Sequence, residues 1–192
     1  MKAICASRNQ LSCDTFRDLS AYRYEVFVNQ LGWKLGCPQG MELDEFDRDD
    51  TEYVVARHDD GRINACARLL PTVGPNLLND VFPFLLHGHP IPRDEGTWEV
   101  SRFTTWENRA PSAGEVMGDD TGQMASMTHT RRFAHAVLER AAQLGARRLI
   151  TVSPYGMERL LRRVGVPAHR VGPPVAWQGQ LLIACWIDVP GT

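Results

Sequence analysis

Six charged side chains stand near large aromatics in this chain and carry its most promising chemistry: Arg23, Asp44, Asp47, Arg68, Glu99 and Arg102, with Phe27, Trp33 and Phe82. Three acids and three arginines can form one compensated network, which suits a cleft for a zwitterionic substrate. Taken singly, each has a plainer reading. Arg23 can be a snorkelling helix residue, Asp44 a loop cap, and Glu99 a strand residue facing water.

Several familiar sites are absent. The sequence has no GxxxxGK[ST] loop, no GxGxxG, no HExxH and no GxSxG. The six histidines form no convincing ligand set. His87 and His89 flank a glycine with no acidic or cysteine cluster nearby, so no metal is expected. The five cysteines are scattered, odd in number and without a CxxC pair, which argues against a disulfide framework.

The polar residues need a scaffold to position them. Lys2–Ser7 reads as a strand. Ser12 or Asp14 can cap a helix running to about Leu31, with Leu19, Val26 and Phe27 at helical spacing. Arg23 shares their face, so it must snorkel or find a buried carboxylate. Glu42–Glu52 carries seven acids and one Arg, interrupted by Met41, Leu43 and Phe46 around its start. It reads as a packed loop with some carboxylates turned inward.

Two strands, Glu52–Arg57 and Arg62–Leu70, flank a His58-Asp59-Asp60-Gly61 turn. A short helix is expected around Phe82–Leu86, then a strand over Thr97–Thr104. A regular strand there puts Glu99, Ser101 and Phe103 on one face and Trp98, Val100 and Arg102 on the other. Asn108–Asp120 reads as a mobile loop. Thr121–Leu144 is a long helix stopped by Gly145. A strand over Arg147–Ser153, a short helix over Tyr155–Val164 and a strand over Gln180–Val189 complete the chain. Strands and helices alternate throughout, which predicts one α/β domain over residues 1–192 with a mixed or largely antiparallel sheet.

At 192 residues, 43% hydrophobic and 23% charged, the chain can bury a sizeable core. No apolar run reaches the roughly 18–20 residues of a membrane span, and the N-terminus lacks the apolar core of a secretory signal. A cytoplasmic protein is expected. The net charge of −2 gives no support to nucleic-acid binding. It is unevenly spread, however: residues 131–170 hold nine arginines and two acids. Such a face is either solvated or a dock for an acidic partner.

Five blocks in order carry a resemblance: Tyr22-Arg23-Tyr24-Glu25-Val26-Phe27, Trp33, Glu42-Leu43-Asp44-Glu45-Phe46-Asp47, Ala67-Arg68-Leu69-Leu70-Pro71-Thr72 and Trp98-Glu99-Val100-Ser101-Arg102-Phe103. Over about residues 20–165 the chain resembles the acyl-homoserine lactone synthases, the LuxI-type autoinducer synthases. The match weakens in the C-terminal third.

The resemblance implies a three-layer sandwich: a splayed mixed sheet with helices on both sides, similar to the GCN5-related N-acetyltransferases. It implies an acyltransferase that makes an N-acyl-L-homoserine lactone, a quorum-sensing signal. S-adenosylmethionine would be a consumed substrate rather than a cofactor. An acyl-acyl carrier protein, or an acyl-CoA, would be the donor. No nucleic acid or membrane partner is implied. Carried onto this chain, the family pattern puts Phe27 and Trp33 against the adenosyl and sulfonium groups, with Phe82 and Ser101 in the same cleft. A sulfonium is attracted to an aromatic face. Asp44 would accept from the substrate amine and Arg102 would hold its carboxylate. Arg23, Asp47 and Arg68 would form the surrounding network, and Glu99 would be the general base, directly or through water. A bulge is needed to bring Glu99 and Arg102 to one face. The acyl chain would lie among Val100, Phe103, Met124, Met127 and Ser153 in the C-terminal half. Arg147, Arg148, Arg159, Arg162 and Arg163 would dock the carrier protein.

Two rival readings stay open. An acetyl-CoA-dependent N-acetyltransferase needs a pyrophosphate loop, whereas the long helix opens with Asp119-Asp120-Thr121-Gly122-Gln123, which is acidic. A non-catalytic acyl- or carrier-binding protein would share the apolar pocket and the Arg face but would not need Glu99.

Overall fold

The computed structural model describes the backbone of residues 2–105 and 120–191, and the side chains of residues 3–105 and 126–191. Eight strands form one sheet: β1 (Lys2–Ser7), β2 (Glu52–Arg57), β3 (Ile63–Pro71), β4 (Thr97–Thr104), β5 (Arg148–Pro154), β6 (Ala168–Arg170), β7 (Val175–Trp177) and β8 (Gln180–Asp188). The order is β1-β2-β3-β4-β5-β8-β6, with β7 also paired to β8. Every pairing is antiparallel except β4–β5, which is parallel and joins only Thr97–Glu99 to Arg148–Ile150. The sheet is therefore mixed and splays beyond Glu99. Two short strands, β6 and β7, had no counterpart in the sequence reading. Three-residue strands leave too little periodicity to detect.

Among the described residues four α-helices flank the sheet: α1 (Cys13–Arg23), α2 (Leu77–Asp80), α3 (Asp120–Gln143) and α4 (Met157–Arg163). Strand alternation sorts the core between two faces. Val54, Ala56, Ala65, Ala67 and Leu69 pack with Phe133, Val137 and Leu138 of α3, and Leu161 of α4 joins them. On the other face Tyr53, Val55 and Cys66 pack with Leu19 and Tyr22 of α1. Leu78, Leu85 and Leu86 cover Ile150, Leu182 and Ala184 further along. This is the three-layer arrangement expected. No helix among the described residues is long and apolar enough to cross a membrane. The expected mobile loop over residues 108–120 lies outside the described residues, except for the helical Asp120.

Local chemistry sets the ends of two helices that matter below. Ser12 caps α1 by accepting from the Thr15 N–H at 3.1 Å. The helix does not run regularly to Leu31. From Tyr24 to Gln30 it widens into a π-helix, and the Leu31 N–H reaches back five residues to the Val26 carbonyl at 2.9 Å. The Glu25 carboxylate accepts from Asn29 at 2.6 Å and from Gln30 at 2.8 Å. The second of these, at a spacing of five, suits the wider turn. At the other end of the domain, Gly145 takes φ +83° and closes α3, as a glycine C-cap should.

Candidate active site

The cleft is built on β3 and β4, the end of α1 and the acidic loop after it. Arg68 and Ser101 face each other in the β3–β4 register. The register then slips, so that Cys66 opposes Thr104: three steps on β4 match two on β3. This is the bulge that joins Glu99 to Arg102. Arg102 sits at φ +53°, in the left-handed region that an L-residue occupies only when its surroundings hold it there. The slip also corrects the regular-strand expectation for Phe103. It turns to the α3 side with Val100 and packs on Phe133, ring centroids 5.5 Å apart.

Arg23 is 1% exposed and has found its buried carboxylates. Its Nε donates to Glu42 Oε2 at 2.5 Å, and its two terminal nitrogens donate to the oxygens of Asp47 at 2.7 and 3.0 Å. Arg68, fully buried, donates from Nη1 and Nη2 to Asp44 at 2.5 and 3.0 Å, and from Nε to Ser101 Oγ at 3.1 Å. Arg102 donates from Nη2 to Glu42 Oε1 at 2.8 Å and to Asp44 Oδ2 at 2.9 Å. The Tyr53 hydroxyl donates to Asp47 Oδ1 at 2.6 Å. Three arginines thus face three acids, Glu42, Asp44 and Asp47. Asp44, at 17% exposed, is the acid open to the cleft; Glu42 and Asp47 are sealed.

Burial drives the carboxyls of Asp47 and Glu42 upward, but the arginines outweigh it. Arg23 and then Arg68 hold Asp47 below the usual carboxylate range. Arg102 and then Arg23 do the same for Glu42. Both acids stay ionised through the neutral range and serve as fixed charges.

Glu99 is different. It is 0% exposed, and burial pushes its carboxyl up to about 7, against the opposing pull of the Leu78 amide and Arg68. Its Oε2 accepts from the Leu78 N–H at 2.6 Å, while Oε1 is buried with no hydrogen-bond partner among the described residues. It is the fourth acid beside a network already balanced. Such a group can take up and release a proton near neutrality.

The aromatic wall is formed by Phe27 and Trp33, stacked at 4.8 Å with 25° between planes. The Arg102 guanidinium lies 5.6 Å from the Phe27 ring centre and 5.8 Å from that of Trp33. The π-helical segment carries Phe27, and the Trp33 N–H donates to the Phe27 carbonyl at 2.9 Å, which pins the two rings together. Phe82, expected in the same wall, makes its ring contacts elsewhere, edge-on to Phe84 at 6.1 Å and Trp177 at 5.9 Å.

On the α3 side a cavity of about 380 Å³, counting its open mouth, lies between β4, β5, β8 and the two C-terminal helices. Val100, Phe103 and Ser153, three of the residues expected around an acyl chain, line it. Met127 packs against the neighbouring core but is not among the lining residues, and the Met124 side chain lies outside those described. The lining unforeseen from sequence comes from α3 (Ala134, Val137 and Leu138), from α4 (Met157 and Leu161) and from β5 (Leu149 and Thr151). Thr151 and Ser153 share a hydrogen bond of 3.0 Å, the polar spot in an apolar wall.

Of the five arginines expected to dock a carrier protein, Arg147 and Arg148 are engaged with Asp94, and Arg148 also lies over the Trp186 ring at 4.3 Å. Arg162 donates to the Ala168 carbonyl at 2.8 Å. Arg159 and Arg163 are exposed on α4 and show no ion pair among the described residues.

Two site residues escaped the sequence reading. Glu42 is the hub between Arg23 and Arg102, and Tyr53 locks Asp47. The inward turn of the acidic loop was legible as a possibility, but loop direction has no period to read. The Glu42 N–H donating to the Ser20 carbonyl at 3.0 Å is what aims that side chain.

Residues 7–191 match the family model described as autoinducer synthase. An acyl-homoserine-lactone synthase of Acinetobacter nosocomialis is 44% identical over 191 residues, covering 98% of this chain and all of the relative. Among solved structures, TofI in a ternary complex with an inhibitor and MTA superposes with a TM-score of 0.82 at 42% identity. That match covers 98% of this chain and 92% of TofI. An acyl-CoA N-acyltransferase from Pseudomonas aeruginosa shares the fold at a TM-score of 0.60 and 18% identity, over 96% of this chain and 97% of that one.

Proposed function

The chain belongs to the autoinducer synthase family of acyltransferases, and on that premise we propose that it makes an N-acyl-L-homoserine lactone from S-adenosylmethionine and an acyl-acyl carrier protein. The observation that carries this reading is Glu99, a buried carboxylate with one unpartnered oxygen beside a charge-balanced cleft and an aromatic wall. TofI binding MTA supports the same cleft for the adenosyl group.

The chemistry follows from the groups present. Phe27 and Trp33 attract the sulfonium. Asp44 accepts from the substrate ammonium, and Arg102 holds the carboxylate. Glu99 takes a proton from the ammonium, directly or through water. The freed amine attacks the thioester carbonyl; the C–S bond breaks and the carrier thiol leaves with a proton. The carboxylate oxygen then attacks the carbon next to the sulfonium, and that C–S bond breaks to release methylthioadenosine. S-adenosylmethionine is consumed, and the lactone serves as a quorum-sensing signal. We place the reaction in the cytoplasm, where the five free cysteines would remain reduced. Incubating the protein with S-adenosylmethionine and an acyl-carrier-protein thioester should yield lactone and methylthioadenosine in equal amounts. Acylation without methylthioadenosine would indicate an ordinary N-acyltransferase, and no turnover a binding protein.

The cavity is the proposed acyl pocket, and its wall on α4 predicts a change of product. Met157→Trp fills space at the lining without adding charge. The preferred acyl chain should shorten by several carbons, read as the lactone profile by mass spectrometry. Lowered stability with an unchanged profile would return Met157 to simple packing.

The choice of carrier protein over CoA rests on the Arg face. Arg159 and Arg163 are the arginines free to meet an acidic partner, and opposite charge speeds encounter and fixes orientation. Arg159→Glu with Arg163→Glu should raise the Michaelis constant for the carrier-protein donor roughly tenfold at low salt and leave acyl-CoA unaffected. The effect should shrink toward 1 M salt, where the Debye length is about 3 Å. Equal losses with both donors would assign these arginines to the fold.

A further inference from the structure

Glu99 is held by a piece of backbone as well as by the sheet. The one-turn helix α2 directs its first amides at this carboxylate. The Leu78 N–H donates to Glu99 Oε2 at 2.6 Å, and the neighbouring Leu77 amide adds to the pull that favours the charged carboxylate. What keeps those amides in place is Asn76. It is 0% exposed and lies in extended backbone at φ −155°. Its side-chain oxygen accepts the third amide of the turn, from Asn79, at 3.1 Å. Its Nδ2 donates to the Gly74 carbonyl at 2.9 Å, and its own N–H donates to Asp80 Oδ2 at 3.0 Å. Every polar group of Asn76 therefore ties the turn to itself or to the loop before it.

The remaining neighbours of Glu99 do not substitute for those amides. Arg68 of β3 faces it but is committed to Asp44 and Ser101, and Arg102 of β4 is committed to Glu42 and Asp44. From β5 it meets Ile150, which is apolar and fully buried. An isolated turn of four residues would not hold its shape without a cap.

We propose that Asn76 is a positioning residue of the reaction: by capping α2 it aims the Leu77 and Leu78 amides at Glu99 and keeps that buried carboxylate able to ionise. This rests on the reading of Glu99 as the base. A carboxylate stripped of its amide donors in such a site would favour its protonated form, and the enzyme would need a higher pH to work.

The test compares the pH dependence of turnover in the wild type and in Asn76→Ala, Asn76→Ser, Leu77→Pro and Glu99→Gln. In the wild type turnover should rise through a limb near neutrality, and Glu99→Gln should abolish that limb. Asn76→Ala should move it up by about one pH unit, so that turnover falls roughly tenfold below the limb and recovers above it. Asn76→Ser keeps a capping oxygen and should restore the wild-type profile. Leu77→Pro removes one amide at the first helical position, where proline fits, after an extended residue that tolerates it. It should shift the limb the same way with α2 intact, and it carries the test if the alanine variant fails to fold. If Asn76→Ala, or Leu77→Pro in its place, leaves the limb unmoved while melting temperature falls, Asn76 is structural only and the proposal is overturned. If Glu99→Gln keeps the wild-type profile, the base assignment fails instead, and the inference with it.

Discussion

Glu99→Gln should fold, melt higher than the wild type above neutrality, and turn over about 10²–10⁴-fold more slowly. Gln preserves the shape and the acceptor for the Leu78 amide but cannot accept a proton from the ammonium. The stability gain follows from the sign of the shift. Glu99 in the fold ionises at about 7, above its ordinary value of 4.5, because burial disfavours the charge. The stability it supports is complete below about pH 4.5 and is lost as pH rises through about 7. Across that window the wild type gives up about 3 kcal/mol that the variant keeps. That corresponds to several degrees of melting temperature for a chain of this size. The check is a pair of melting curves at pH 5 and pH 8 together with kcat. A variant that kept wild-type turnover would remove Glu99 from the chemistry. A melting difference independent of pH would mean that Glu99 ionises at an ordinary value.

Arg23→Met should cost the most stability of any change in the cleft, about 3–5 kcal/mol, because it leaves Glu42 and Asp47 in a sealed site with one cation fewer. Methionine fills similar volume, so the loss comes from charge rather than from a cavity. The melting temperature should fall by roughly 10 °C or more at pH 7. The deficit should narrow in acid. Both acids are held below their ordinary values in the fold, so the stability they lend is present above about pH 4 and lost as pH falls through the depressed values. A variant melting within a degree or two of the wild type would show that the pairs position the cleft without stabilising the domain. Activity should fall in either case, since Arg102 shares Glu42 with Arg23.

The two effects have one physical origin. In a site sealed from water, Glu42 and Asp47 are held ionised by arginine partners, while Glu99, met by the Leu78 amide and by no ion pair among the described residues, sits at the edge of ionisation. The domain accommodates the uncompensated acid because the ion-paired network around it is complete.

Much of this was legible in the sequence. Period-2 alternation put Glu99 and Ser101 on one face of β4 and Trp98 and Val100 on the other, because side-chain direction on a strand is fixed by the pleat. Ser12 and Gly145 marked helix ends through their capping chemistry. Placing Arg23 between Leu19 and Phe27 already demanded that it snorkel or find a buried carboxylate, and for the second the acidic loop was the available source. What the sequence could not decide was which carboxylate. Glu42 and Asp47 turn inward while Glu45, Asp49 and Asp50 face water, and that choice depends on long-range hydrogen bonds such as Glu42 to Ser20. The register of β4 was open in the same way. A regular strand separates Glu99 from Arg102, and only the pairing with β3, slipping between Arg68 and Cys66, unites them. Phe82 went to a different aromatic cluster, and the cavity beside α3 is lined by Ala134, Val137 and Leu138 of that helix and by α4 rather than by Met127, because contacts between distant elements have no local signature. Composition, caps and periodicity act over a few residues and were enough for the elements. The protonation of Glu99 depends on burial and on the Leu78 amide, 21 residues away, and these come together only once the chain has folded.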